Sequence, residues 1–189
     1  MLSRTRKRRK NFVLLGIVLV ILISATIFFA VKKKPVPDYS KISNEDYKNI
    51  SYTIEDKTIT LKNGLSEEVI PGEATKNTVK YFGNEVKDDF DGDGLQDVAF
   101  LLTEDNGGSG IFYYLVAAIN TKDGYIGTKA ILLGDRISPQ STEFKNGEII
   151  VNYVDRSPNE PMTTKPSFGK TKYFKIIDNE LTETIDLNR

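Results

Sequence analysis

Four aspartates fall at positions 89, 91, 93 and 97 within the stretch Asp89-Phe90-Asp91-Gly92-Asp93-Gly94-Leu95-Gln96-Asp97. Alternate side chains of a tight loop turn inward. Oxygen donors at the first, third, fifth and ninth positions, with the backbone carbonyl of the seventh, can therefore converge on one hard cation. That spacing assigns side-chain oxygens to Asp89, Asp91, Asp93 and Asp97, a carbonyl to Leu95, and Ca2+ as a structural ion. Gly94, at the sixth position, supplies the sharp turn. Four carboxylates within nine residues repel one another unless a cation or wide solvation relieves them. The residues leave one alternative open, an acidic turn without an ion in which Asp and Gly only cap and bend the backbone. An affinity on the order of 10⁻⁴ to 10⁻³ M, as in extracellular modules, would make the ion a clamp and a poor signalling switch.

Other chemistry is sparse. The chain has no Cys, His or Trp, which excludes disulfides, thiolate chemistry, Cys/His zinc sites, histidine bases and thioester lipid anchors. Two Asp-Arg pairs, Asp135-Arg136 and Asp155-Arg156, each end an apolar run. Arg136 and Arg156 are possible ligand contacts, because two guanidinium forks near strand ends can hold a carboxylate, phosphate or sugar acid. Local ion pairing is the plainer reading of the same residues. Tyr113 and Tyr114 are suited to stacking on a sugar, though strand aromatics more often serve the core. Asp135, Asp155 or Glu160 could act as the acid and base of a hydrolase, a chemistry that needs neither His nor Cys. No catalytic motif marks such a pair. The sequence therefore favours a non-enzymatic binding module, with a cell-surface hydrolase or a purely structural spacer as the alternatives.

The elements that position these groups differ sharply along the chain. Residues 1–11 hold six basic side chains, and the uncharged, mostly apolar run 12–31 follows at once. As a helix, twenty residues at about 1.5 Å each span roughly the 30 Å hydrocarbon layer, so 12–31 reads as a single transmembrane helix embedded in the lipid bilayer. Six basic residues before it against three after, Lys32 to Lys34, place the N-terminus in the cytoplasm and the C-terminal domain outside the plasma membrane. A cleaved signal peptide is the competing reading, but Phe28-Phe29-Ala30 puts a bulky ring where a small residue is wanted. Residues 32–48, with Pro35 and Pro37, read as an extended stalk. Nine of the 26 Lys and Arg lie within residues 1–34, which contain no acid, so the rest carries about nine excess negatives. Such a body repels phosphate backbones, and the expected partner is an envelope protein or glycan, with no nucleic acid.

Residues 49–189 read as a mainly β, antiparallel, sandwich or barrel-like extracytoplasmic domain carrying the loop at 89–97. Short β-branched and aromatic runs alternate with turn residues. Ile50 to Ile54 and Thr58 to Lys62 form a hairpin around Glu55-Asp56-Lys57. Leu65 to Ile70 and Thr78 to Phe82 follow, the latter ending before the acidic loop. Val98 to Leu102 and Ile111 to Ile119 are nearly continuous in apolar residues, as expected of central strands covered on both faces. Later strands are expected at Ala130 to Leu133, Glu148 to Val154 and Tyr173 to Ile177. Pro139, Pro158, Pro161 and Pro166 are expected between strands, because proline cannot donate a ladder hydrogen bond.

The loop is not an EF-hand, since Phe100 occupies the twelfth position, where a bidentate Glu is required, and a strand pattern follows. Its D-x-D-x-D-G-x-x-D pattern resembles the calcium loops of FG-GAP-type propeller repeats and, less closely, of dockerin repeats. In the former the ninth-position Asp replaces the glutamate. The resemblance covers one copy and implies the loop, not a propeller. A longer stretch, Y-F-G-N-E-V-K-D-D-F-D-G-D-G-L-Q-D-V-A-F-L-L-T-E-D-N-G-G-S-G-I-F-Y-Y-L-V-A-A with I-L-L-G-D-R-I, V-N-Y-V-D-R and E-P-M-T-T-K-P-S, resembles an uncharacterised bacterial envelope domain. That resemblance, over roughly Tyr81 to Lys175, implies a secreted, lipid-anchored or membrane-anchored context and no assigned catalysis. The chain departs from lipoprotein members in lacking the anchoring Cys.

Overall fold

A computed structural model of the protein describes residues 46–69, 72 and 75–184. The basic tail, the apolar run 12–31 and most of the expected stalk lie outside the described residues. Among the described residues no helix is long and apolar enough to cross a membrane. What is described is mainly β, with every pairing between named strands antiparallel.

A one-turn 3-10 helix, Asp46–Asn49, precedes a hairpin of β1 (Ser51–Ile54) and β2 (Lys57–Thr60). Ile54 pairs directly with Lys57, so the hairpin turn is the two residues Glu55-Asp56, tighter than the three expected. A six-stranded sheet follows, built from β3 (Leu65–Val69), β4 (Lys76–Asp88), β5 (Asp97–Asp105), β6 (Phe112–Thr121), β7 (Gly124–Gly127) and β8 (Ile131–Asp135). Its order is β3-β4-β5-β6, with β8 and β7 sharing the far edge of β6. The remaining strands, β9 (Ser138–Lys145), β10 (Glu148–Asp155), β11 (Phe168–Ile177) and β12 (Glu180–Thr184), form a four-stranded antiparallel meander.

The central strands explain the layering. Successive side chains of a strand point to opposite faces. Val98, Phe100 and Leu102 of β5, with Tyr114, Val116 and Ala118 of β6, therefore meet Tyr52, Ile54 and Ile59 of the hairpin and Tyr47 of the 3-10 turn. Ala99, Leu101, Leu115, Ala117 and Ile119 face the other way, onto Ile149, Val151, Tyr153, Phe174 and Leu181 of the meander. Both faces of the β5-β6 pair are thus buried, as their unbroken apolar sequence requires. Each fully buried Phe or Leu here contributes about 1.5–3 kcal/mol relative to exposure.

Three expectations are corrected. The folded part begins before residue 49: Tyr47 is buried, and its hydroxyl donates to Glu85 Oε2 at 2.8 Å. Strand β4 does not end at Phe82 but runs to Asp88. Gly83 (φ +112°) and Asn84 (φ +52°) are absorbed there as bulges, with register shifts against β5, where sequence reading would place a turn. Pro139 lies within β9, not between strands. It is tolerated because β9 is an edge of its sheet and the pairing with β10 is irregular beside it, so no ladder donor is demanded of it.

Candidate metal centre

Strands β4 and β5 are adjacent and antiparallel, and Asp88 pairs with Asp97 at the end of their ladder. The eight residues between them must reverse the chain. The aspartates do so by taking backbone amides in short range: Asp89 Oδ1 accepts from Gly92 (2.8 Å) and its Oδ2 from Gly94 (2.9 Å). Asp91 Oδ1 accepts from Asp93 (3.0 Å), and Asp93 Oδ1 accepts from Leu95 (2.7 Å). Gly94 adopts φ +88°, a left-handed conformation that costs a side-chain-bearing residue energy.

Asp97, the first residue of β5, is fully buried. Its Oδ2 accepts from the Phe90 amide at 2.9 Å and its Oδ1 from the Asn120 amide at 2.8 Å, so one carboxylate ties the loop to both β5 and β6. The Phe90 ring is buried in the core beneath the meander, 5.0 Å from the ring of Phe144. The Tyr125 hydroxyl reaches the Gln96 carbonyl at 3.4 Å. Loop position is therefore fixed from within the fold.

Carboxylate oxygens of Asp89, Asp91 and Asp97 all lie within 4.8 Å of one another, and the three could hold a metal ion. A shallow hollow of about 200 Å³ beside them is bounded by Lys87, Asp88, Asp89 and Gln96. Burial pushes the Asp97 carboxyl up to about 7; the Asn120 and Phe90 amides oppose this, and the charges of Asp91 and Asp89 add to it. Asp91 is also raised, first by partial desolvation and then by the neighbouring Asp93 and Asp89. A cation among the three would reverse this balance by favouring the ionised forms.

Of the four aspartates assigned to the ion from sequence, Asp89, Asp91 and Asp97 come together. Asp93 stands outside the converging trio, and its Oδ1 accepts from the Leu95 amide. Asn120 and Phe90 were not foreseen. The buried anchoring of Asp97 was signalled only by its position at the start of an apolar run.

The two arginines are brought close, but through the Arg156 side chain and the Arg136 backbone. Arg136 forks onto its neighbour Asp135, with Nη2 to Oδ2 at 3.0 Å. Arg156 donates Nε to the Thr164 carbonyl (2.6 Å) and Nη1 to the carbonyls of Asp135 (3.2 Å) and Arg136 (3.3 Å). The second guanidinium thus knits the β8-β9 corner to the loop after β10. Asp155 accepts from Lys170 Nζ at 2.7 Å, and Glu160 Oε2 from the Ser157 amide at 2.7 Å. Tyr114 is buried in the core, while Tyr113 lies edge-on to Phe82, ring centroids 5.2 Å apart. Comparison of the chain with protein-family models, with curated proteins and with solved structures finds no match.

Proposed function

We infer that this protein is a calcium-stabilised, non-enzymatic binding module held at the outer face of the plasma membrane by residues 12–31, its partner an envelope protein or glycan. The observation that carries the ion is the convergence of Asp89, Asp91 and Asp97 within 4.8 Å around a buried carboxylate. Hard oxygen donors on a loop of this form suit Ca2+, which accepts carboxylates and waters in flexible geometry. Asp97 serves as a ligand and as the brace that holds the loop. The FG-GAP-like spacing supports the same assignment.

Carboxylate chemistry is less favoured. Both Asp97 oxygens are bound by main-chain amides, which suits holding an ion better than passing a proton to a substrate. Asp155 has its pKa lowered: burial alone would raise it, but the Lys170 and Arg156 groups outweigh that, the reverse of what a general acid needs.

Thermal melting of the full chain in neutral detergent, with calcium and with chelator, tests the ion. An unmoved midpoint refutes it. Protease added to intact cells tests the topology: the β domain should be digested while the basic tail is spared, and a protected domain would refute the orientation.

A further inference from the structure

Away from the acidic loop, a cavity of about 360 Å³ is lined by the β1-β2 hairpin and by β3, β4, β5, β6 and β8 of the six-stranded sheet. Its floor follows from strand period. Glu104 continues the even-numbered row of β5 that carries Val98, Phe100 and Leu102, so its carboxylate lies on the hairpin side of the sheet. Glu104 Oε1 accepts from Asn77 Nδ2 at 2.8 Å, and its Oε2 accepts from the Tyr114 hydroxyl at 3.0 Å. The carboxylate is therefore oriented rather than free to swing. Asn77 also lines the cavity, and its Oδ1 is buried with no donor against it.

The polar inventory is one-sided. Glu55 and Glu68 join Glu104 in the lining, and Lys57 is the single cation among the described lining residues, leaving a charge of about −2. The burial of Tyr114 and the nearby charges of Glu104 and Glu55 all hold its hydroxyl protonated and donating. That hydroxyl and the Asn77 amide are already spent on Glu104, and the net negative lining favours a ligand that brings positive charge and hydrogen-bond donors of its own. A metal ion does not fit this need. Among the described residues the set of three acidic groups whose oxygens converge is Asp89, Asp91 and Asp97, and the three glutamates are spread around their cavity instead. Asn106 completes the polar lining, its Oδ1 accepting from the Gly108 amide at 3.2 Å, while Val69, Phe112 and Leu132 are apolar, and an aromatic face attracts a cation as well as covering hydrocarbon.

We propose that this cavity binds an organic ammonium ion, its charged head set against Glu104 and its hydrocarbon frame against Phe112 and Leu132. A free small amine and the lysine side chain of a peptide share this chemistry. The site depends on neither the calcium loop nor the membrane segment.

The test is titration of the ¹⁵N-labelled full chain in neutral detergent, read at the Asn77 side-chain amide and the Glu104 and Phe112 main-chain amides. The probes are n-pentylammonium, n-pentanol and Nα-acetyl-lysine methylamide. Saturable shifts are expected with n-pentylammonium, and binding of n-pentanol about tenfold or more weaker, the worth of one charge-assisted hydrogen bond. Blocked lysine binding as tightly as the amine assigns the peptide source, and weaker binding assigns the free amine; both support the site. Glu104→Gln should weaken the amine roughly ten- to a hundredfold. Should that variant fail to fold, the double variant Glu55→Gln/Glu68→Gln, altered only at exposed rim positions, should weaken it about two- to fivefold. Equal binding of alcohol and amine, no saturable shift, or unchanged affinity in the variant that folds would each overturn the proposal.

Discussion

Asp97 and Asp91 belong to one cluster but are held so differently that replacing each separates two contributions. Asp97→Ala removes a carboxylate that satisfies two buried amides, those of Phe90 and Asn120. A buried donor left unpaired costs about 1–3 kcal/mol, so the two together cost roughly 2–6 kcal/mol. Part is returned, because a carboxyl whose pKa burial raises to about 7 no longer has to be desolvated, and the lower half of that range is expected. Asp91→Ala deletes one hydrogen bond, to the Asp93 amide, at an exposed loop position, which costs about 0.5–1.5 kcal/mol at most.

Calcium adds a term that only an intact site feels. At about tenfold over its Kd the ion stabilises the fold by roughly 1.4 kcal/mol, or about 4–7 °C in melting midpoint for a domain of this size. In chelator, then, Asp97→Ala should melt well below the parent and Asp91→Ala close to it. In calcium the parent should rise while neither variant does. Near-ultraviolet circular dichroism of the buried tyrosines reads the transition. The reasoning fails if Asp91→Ala gains as much from calcium as the parent, or if Asp97→Ala in chelator is no less stable than Asp91→Ala.

Two further outcomes follow from groups remote from the loop. Asp155 has a folded pKa below its unfolded value, so its stabilising contribution is present above about pH 4 and is lost as pH falls through the lower folded value; Asp155→Asn should flatten the acid limb of a stability-versus-pH curve below about pH 4, and an unchanged limb refutes the pairing with Lys170 as its source. Tyr47 is packed against Phe100 (5.5 Å between ring centroids) and donates to Glu85, so Tyr47→Ala should cost about 3–5 kcal/mol in denaturant melts, whereas Tyr47→Phe, which leaves Glu85 bonded to Tyr81, should cost about 0.5–1.5 kcal/mol. Similar small losses for both would mean that the 3-10 turn is not part of the core.

Where one physical rule governed a segment, its structure could be read in advance. The runs that became β5 and β6 contain almost nothing polar, and only burial on both faces accommodates that. The aspartate spacing of the loop is likewise local. Strand β9, with its sequence Ser-Pro-Gln-Ser-Thr-Glu-Phe-Lys, has little apolar signal, and it becomes a strand because β10 offers it a ladder. The same holds for the extension of β4 past Gly83-Asn84, where pairing with β5 overrides two residues that on their own favour a turn. Tyr47 was hidden by its polar neighbours. A single buried ring in a charged stretch has no period to reveal it.

The candidate centre shows the same division between local and distant causes. Asp89 and Asp91 shape the turn through amides no more than five residues away, and those contacts are written in their spacing. Asp97 differs, because its carboxylate is tied to Asn120, 23 residues on and in another strand. An ion bound by all three would therefore join the chain reversal at 89–96 to the centre of the sheet. The free energy of binding would then be felt by the β4-β5-β6 ladder rather than by the loop alone. The coupling predicts where protection from amide exchange should appear on adding calcium: at Asn120 and Phe90, whose amides rest on Asp97, as well as at Gly92 and Gly94. Protection confined to the two glycines would show that the loop binds its ion without the brace.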